Sequence, residues 1–111
     1  MTLEDFNSLQ ILKYPILTKL CIVHETSNGT TFYNCTIELG SENTDDVIVL
    51  HCQYVDQLYL NNPRPLLSVE IMITNITHYQ LEEVKYKIRE DNNDSFGFYC
   101  KDINIKLAPK M

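Results

Sequence analysis

The sequence predicts a mainly β fold: an antiparallel sandwich or partly open barrel of six to seven strands, with a short N-terminal helix. Three observations predict it. Apolar and polar residues alternate with period two in several separate stretches, the signature of half-buried strands. Turn chemistry recurs at roughly the 8–12-residue spacing of all-β domains. No helical stretch falls between successive strands, so a Rossmann-like or thioredoxin-like sheet is not expected. The 111 residues are one domain's worth of chain, and residues 1–111 are read as a single domain.

Leu3, Phe6, Leu9 and Ile11 are spaced for a short amphipathic helix within Met1 to Tyr14. Thr2 is its N-cap, ahead of Glu4 and Asp5. Tyr14-Pro15 ends it, because a residue before proline avoids the α region. Leu17 to His24 is apolar and β-branched, and Asn28-Gly29 follows as a hairpin turn. Thr31 to Leu39 alternates, with Tyr33, Cys35, Ile37 and Leu39 on one face. Gly40 to Asp46 is a polar, acidic loop. Val47 to Val55 is the next strand, with Ile48, Leu50, Cys52 and Tyr54 as its core face. Asp56 to Arg64 reads as a connection, and Asn61 to Pro65 is turn chemistry. Leu67, Val69, Ile71 and Ile73 mark another strand. Asn75 to Glu83 fits either a loop or one helical turn. Val84, Tyr86 and Ile88 alternate with Lys85, Lys87 and Arg89, which gives a basic outer face. A charged turn, Glu90 to Asp94, leads to Phe96, Phe98 and Cys100, then to Ile103, Ile105 and Leu107.

Composition narrows the function classes. The chain is 44% hydrophobic and 22% charged, as an ordinary globular domain is. Its net charge of −6 argues against an autonomous nucleic-acid binder, which needs surplus Lys and Arg. No apolar run approaches the length of a membrane span. No basic-then-apolar leader opens the chain, so a cytoplasmic location is expected. Cys21, Cys35, Cys52 and Cys100 sit in apolar stretches at irregular spacings, which fits reduced core thiols better than a zinc knuckle or two disulfides. Four Asn-x-Ser/Thr triplets begin at Asn28, Asn34, Asn75 and Asn93. They would matter only in a secretory pathway.

No catalytic motif is present. His24, His51 and His78 lack metal-site spacing. His51 adjoins Cys52, but neighbouring strand residues point to opposite faces, so this His does not activate that thiol. Asp91, Asn93 and Ser95 match the start of a calcium loop. Phe96 stands where the loop requires glycine, and Asp102 where it requires glutamate. Gly29, Gly40 and Gly97 are isolated, so there is no phosphate loop. No metal and no cofactor are expected. The usable feature is the acidic surplus. Carboxylates beside tyrosines suit a protein interface with a basic partner. Glu42, Asp45, Asp46 and Asp56, with Tyr59 alongside, are the candidate partner-binding residues; Tyr54 and Tyr79 also lie near connections.

The C-terminal half carries a resemblance. Leu67-x-Val69-x-Ile71 leads through Gln80-Leu81-Glu82 to Val84-x-Tyr86-x-Ile88. Glu90-Asp91, Phe96-x-Phe98-Tyr99-Cys100 and Asp102-Ile103-x-Ile105 follow. This string resembles small bacterial immunity proteins of polymorphic toxin systems, of the immunity protein 50 type and related contact-dependent inhibition antitoxins. It covers roughly the last 45 residues. The resemblance implies a cytosolic, non-enzymatic protein that binds one toxin domain, often a nuclease, and occludes its active site. It transfers no set of binding residues, because such interfaces diverge from pair to pair. A different class remains open: a small-ligand-binding barrel or accessory subunit, with Tyr33, Tyr54 and Phe98 lining an internal cavity. An enzyme ranks third and would show a convergent polar cluster in a pocket.

Overall fold

The computed structural model describes residues 1–61, 68–77 and 84–110, with the side chains of residues 9–13 left aside. Helix α1 spans Leu3–Lys13. Among the described residues seven strands follow: β1 (Ile16–Ser27), β2 (Thr30–Gly40), β3 (Asp46–Leu60), β4 (Ile71–Asn75), β5 (Tyr86–Glu90), β6 (Phe96–Cys100) and β7 (Asp102–Pro109). Every pairing is antiparallel, in the order β1-β2-β3-β6-β5-β4, with β7 also beside β3. The result is one open sheet and one helix, which bears out the mainly β class.

Local chemistry explains the first elements. Thr2 caps α1: its hydroxyl accepts the Asp5 N–H at 3.1 Å, and its carbonyl accepts that of Phe6 at 3.0 Å. Glu4 and Asp5 in the first turn complement the helix dipole. Asn28 (φ 52°) and Gly29 (φ 77°) form the tight turn between β1 and β2, both in the left-handed region that a primed hairpin turn requires.

Strand β3 organises the sheet. It is 15 residues long and changes partners along its length. Its first half, Asp46 to Gln53, lies between β2 and β7; its second half pairs with β6. The residues predicted as the start of a connection, Asp56 to Leu60, are therefore strand. Strands β6 and β7 run almost continuously along β3, and the Lys101 N–H donates to the Gln53 carbonyl at 2.9 Å between them.

Two bulges interrupt β3. Tyr33 opposes Val55 and Cys35 opposes Cys52, so Gln53 and Tyr54 stand against Asn34 alone. Asp56 opposes Tyr99 and Tyr59 opposes Gly97, so Gln57 and Leu58 stand against Phe98 alone. Tyr54 (φ 58°) and Gln57 (φ 53°) occupy the left-handed region, costly for residues with long side chains. Side chains take up the displaced backbone donors: Asn34 Oδ1 accepts the Tyr54 N–H at 3.3 Å, and Asp56 Oδ1 accepts the Gln57 N–H at 2.9 Å.

The core lies on one face. Cys35, Ile37, Leu39, Ile48, Leu50, Cys52, Ile71, Ile88, Phe96, Phe98 and Cys100 are buried there, and α1 contributes Phe6. Burying each phenylalanine stabilises the fold by about 2–3 kcal/mol. The alternation placed most of these residues correctly. It misplaced Tyr54, read as core and 36% exposed; Tyr33 keeps the face of Cys35, as the alternation has it, but is 52% exposed. The first bulge shifts the period by one residue, so Tyr54 leaves the face of Cys52 and Val55 takes its place. Tyr33 lies beyond the bulge, where the β1–β2 hairpin outruns the core. Leu107 is also exposed. Leu67, His78 and Tyr79 lie outside the described residues, as do the side chains of Leu9 and Ile11.

Candidate functional site: an aromatic and cationic face over the bulges

The outer face of the sheet, opposite the core, carries a set of aromatic rings with charged side chains against them. Tyr54, turned outward by the first bulge, stacks on Phe32 with ring centroids 4.3 Å apart and planes at 25°. The Lys101 ammonium lies 5.3 Å from the Tyr54 ring centre. Beyond the second bulge, the Tyr59 ring covers Gly97. A Cβ there would come within 2.6 Å of the ring, so only glycine permits this approach. The Tyr59 hydroxyl donates to Asp94 Oδ1 at 3.0 Å. Burial and then the Asp94 carboxylate push the Tyr59 pKa up, so it stays a neutral donor. One strand further on, the Lys87 ammonium lies 5.8 Å from the Tyr99 ring centre, and Arg89 forms an ion pair with Asp91. An open groove of about 280 Å³ runs between Tyr59, Tyr99, Lys87 and Arg89.

A buried carboxylate holds this face in place. Glu90, at the end of β5, is 0% exposed. It accepts backbone N–H groups from Glu70 (3.2 Å), Asn92 (2.8 Å), Asn93 (2.9 Å) and Ser95 (3.3 Å), and the Ser95 hydroxyl at 2.8 Å. Burial alone would raise its pKa. The Ser95, Glu70 and Asn93 bonds outweigh that and hold it below the ordinary value. The side-chain amides of Asn92 and Asn93 donate to the Ser68 carbonyl at 2.8 and 3.0 Å. This turn therefore has one shape, and it presents Asp91 to Arg89 and Asp94 to Tyr59.

The five sequence-predicted residues fall into two groups. Asp56 and Tyr59 lie at the second bulge, and Asp56 supports the bulge backbone. Glu42, Asp45 and Asp46 lie at the other end of β3. At about 3.3 Å per residue over ten or more residues, that is on the order of 30 Å away. Glu42 and Asp45 are exposed. Asp46 is half-buried and accepts the Tyr14 hydroxyl at 2.8 Å. Lys110 closes over this loop, its backbone N–H donating to the Asp45 carbonyl at 2.8 Å and its ammonium to the Ser41 carbonyl at 3.0 Å. The sequence reading missed Phe32, Tyr99 and Lys101. It marked Lys87 and Arg89 as outward and basic, but alternation within one strand does not say which ring lies across from which cation.

The remaining candidates form no reactive arrangement among the described residues. His24 is exposed beside Tyr33, with ring centroids 6.0 Å apart, while Cys35 and Cys100 are in the core. Burial and the neighbouring Cys52 push the Cys35 thiol up to about 12. A hydrogen bond with Cys100, and burial, push Cys52 up as well. Thiols so held are poor nucleophiles at neutral pH. Asp91, Asn93 and Ser95 are engaged by Arg89, Ser68 and Glu90, and no three His, Cys, Asp or Glu side chains converge as a metal site would require. Tyr33 and Tyr54 lie on opposite faces and Phe98 is in the core, so these three line no common cavity.

A surface of tyrosines and cations suits protein binding, and comparison with known proteins agrees. The model of the immunity protein PIM8 family matches residues 1–106. The chain belongs to that family. The match extends through the first 60 residues, which the C-terminal resemblance left uncovered. No curated protein and no solved structure matches the chain. The family is one of immunity proteins, so the chain's function is immunity, and its partner is a cognate toxin.

Proposed function

We propose that this chain neutralises its toxin by steric occlusion, with the outer face over the β3 bulges as the contact surface. The observation that carries this reading is the layer of Tyr54, Tyr59 and Tyr99 interleaved with Lys101, Lys87 and Arg89. Tyrosine and arginine dominate the binding energy of protein interfaces. Here they stand on paired strands, so little conformational freedom remains to be lost on binding.

The toxin in this reading is a bacterial nuclease domain with a basic substrate cleft, met in the cytoplasm after contact-dependent delivery. The net charge of −6 supports a basic partner, and on the contact face the exposed carboxylates of Asp56, Asp91 and Asp94 stand among the cations to meet it. Glu42 and Asp45 steer the encounter from the far end of β3, while Asp56 and Tyr59 make contact at the bulge. Binding alone suffices for this role, so no catalysis is assigned. The ligand-binding alternative loses its support with the separation of Tyr33, Tyr54 and Phe98.

The experiment is co-expression with the toxin encoded beside this gene. The wild-type chain restores growth and co-purifies with the toxin. Tyr59→Ala and Tyr54→Ala each weaken the complex by at least about tenfold, the effect of a hot-spot truncation. A complex unaffected by both substitutions would place the contact elsewhere.

A further inference from the structure

Strand β1 ends the sheet. Among the described residues nothing pairs with its outer edge. An exposed edge of this length, 12 residues, is a template for another strand. Its sequence is self-complementary. Run antiparallel to its own copy with Ile22 facing Ile22, β1 sets Lys19 opposite Glu25 at both ends and Cys21 opposite Val23 between them. The register of β1 on β2 puts Lys19, Cys21, Val23 and Glu25 on the outer face, and Leu20, Ile22 and His24 on the core face. Opposite charges would therefore meet on one face, while Ile22 meets its copy on the other.

Three further observations support this register. Lys19 and Glu25 are exposed, and neither forms an ion pair among the described residues. Val23, next to the centre, is 46% exposed. The bulge at Thr18, where Leu17 and Lys19 face the adjacent residues Leu39 and Glu38, ends the regular strand just outside Lys19. Sliding the copies by two residues either way sets Lys19 against Ser27 or Val23 and loses both charge pairs. Edge charges that only repel strands need no such symmetry about Ile22.

We propose that β1 pairs with β1 of a second copy, joining two sheets into one across a two-fold axis. Glu25 lies opposite Phe32 at the rim of the outer-face toxin site, so the dimer is tested in the absence of toxin. One strand edge is a small interface against the roughly 1,200–2,000 Å² of stable complexes, so association depends on concentration.

Sedimentation equilibrium of the full chain, without toxin, tests this. The wild-type chain shifts from monomer to dimer as concentration rises, and more weakly in high salt. Glu25→Lys, which leaves Lys19 opposite Glu38 in the β1–β2 register of the monomer, weakens the dimer by about tenfold through two like-charge pairs. Combining it with Lys19→Glu restores the dimer. Because Lys19→Glu sets a second carboxylate beside Glu38, far-UV circular dichroism confirms folding of the double variant. Independently, Val23→Cys places the new thiol opposite Cys21 of the partner, and copper phenanthroline yields a covalent dimer that Cys21→Ser abolishes. A chain monomeric at every concentration, a double variant with no recovery, or no cross-link would each overturn the pairing.

Discussion

Glu90 offers the sharpest test of how the proposed contact face is held. Its carboxylate receives at least five donors while fully buried. Glu90→Gln keeps the volume but replaces an acceptor oxygen with an amide that points hydrogens at backbone N–H groups. The Ser95 N–H and hydroxyl sit on a residue only 3% exposed, and losing their acceptor costs about 1–3 kcal/mol each. The turn amides of Asn92 and Asn93 recover part of their loss from water. The sum is on the order of 3–5 kcal/mol, against a typical total of about 5–15. Linkage sets its pH dependence. The folded pKa of Glu90 lies below the unfolded one. Its contribution is complete above the unfolded value, about 4.3, and is lost as pH falls through the folded value. The chain has no tryptophan, so urea unfolding is followed by far-UV circular dichroism. The Gln variant should be 3–5 kcal/mol less stable at pH 7, and the gap should narrow towards pH 3.5. A penalty under about 1 kcal/mol, or one independent of pH, would refute this account of the turn.

Other perturbations separate folding from binding. Gly97→Ala drives a methyl against the Tyr59 ring and breaks the Tyr59–Asp94 bond. It should lower toxin affinity more than thermal stability, measured by calorimetric titration and melting. Gln57→Gly relieves a left-handed φ of 53° and should raise stability by up to about 1 kcal/mol, whereas Gln57→Val should lower it; thermal melts decide. Asp45→Lys with Asp46→Lys should slow association at low salt and reduce its salt dependence. Because Asp46 also holds Tyr14, Asp45→Lys alone is the cleaner kinetic probe. The Cys35 thiol is held near 12 from an ordinary 9.0, so its contribution is full below pH 9 and is lost between pH 9 and 12. That loss is about 1.4 kcal/mol per pH unit, and alkaline unfolding of Cys35→Val should be correspondingly flatter.

What was legible in the sequence was local. Thr2 caps the helix that starts at the next residue by holding the Asp5 N–H, Asn28-Gly29 makes its own turn, and Ile37, Leu39, Ile48 and Leu50 reveal their face by alternation. The bulges were not legible, because neither Tyr54 nor Gln57 is a residue that favours a positive φ. The continuation of β3 through Asp56–Leu60 depends on Phe96–Tyr99, some forty residues on in the chain. The site divides in the same way. Tyr59 and Asp56 were recognisable as polar and aromatic groups on a soluble surface. The Lys101–Tyr54 and Lys87–Tyr99 contacts depend on strand register. Glu90 read as one more charge in a charged turn, since its burial follows from donors on Glu70, Asn92, Asn93 and Ser95.

The bulges also bear on why this surface is the proposed contact site. Two non-glycine residues in the left-handed region within four positions cost on the order of 1 kcal/mol or more each. A strand selected for stability alone would carry glycine there, or no bulge. With strict alternation, Tyr54 would follow Cys52 towards the core face and its ring would be unavailable to a partner. The bulge moves that ring to the outer face, onto Phe32 and beside Lys101, while Val55 takes the inward position. The second bulge sets Tyr59 over Gly97 and within reach of Asp94. In both cases strained backbone places a tyrosine on the same outer face. Stability is given up where aromatic side chains are gained for the surface, which is the pattern expected where toxin binding constrains the sequence.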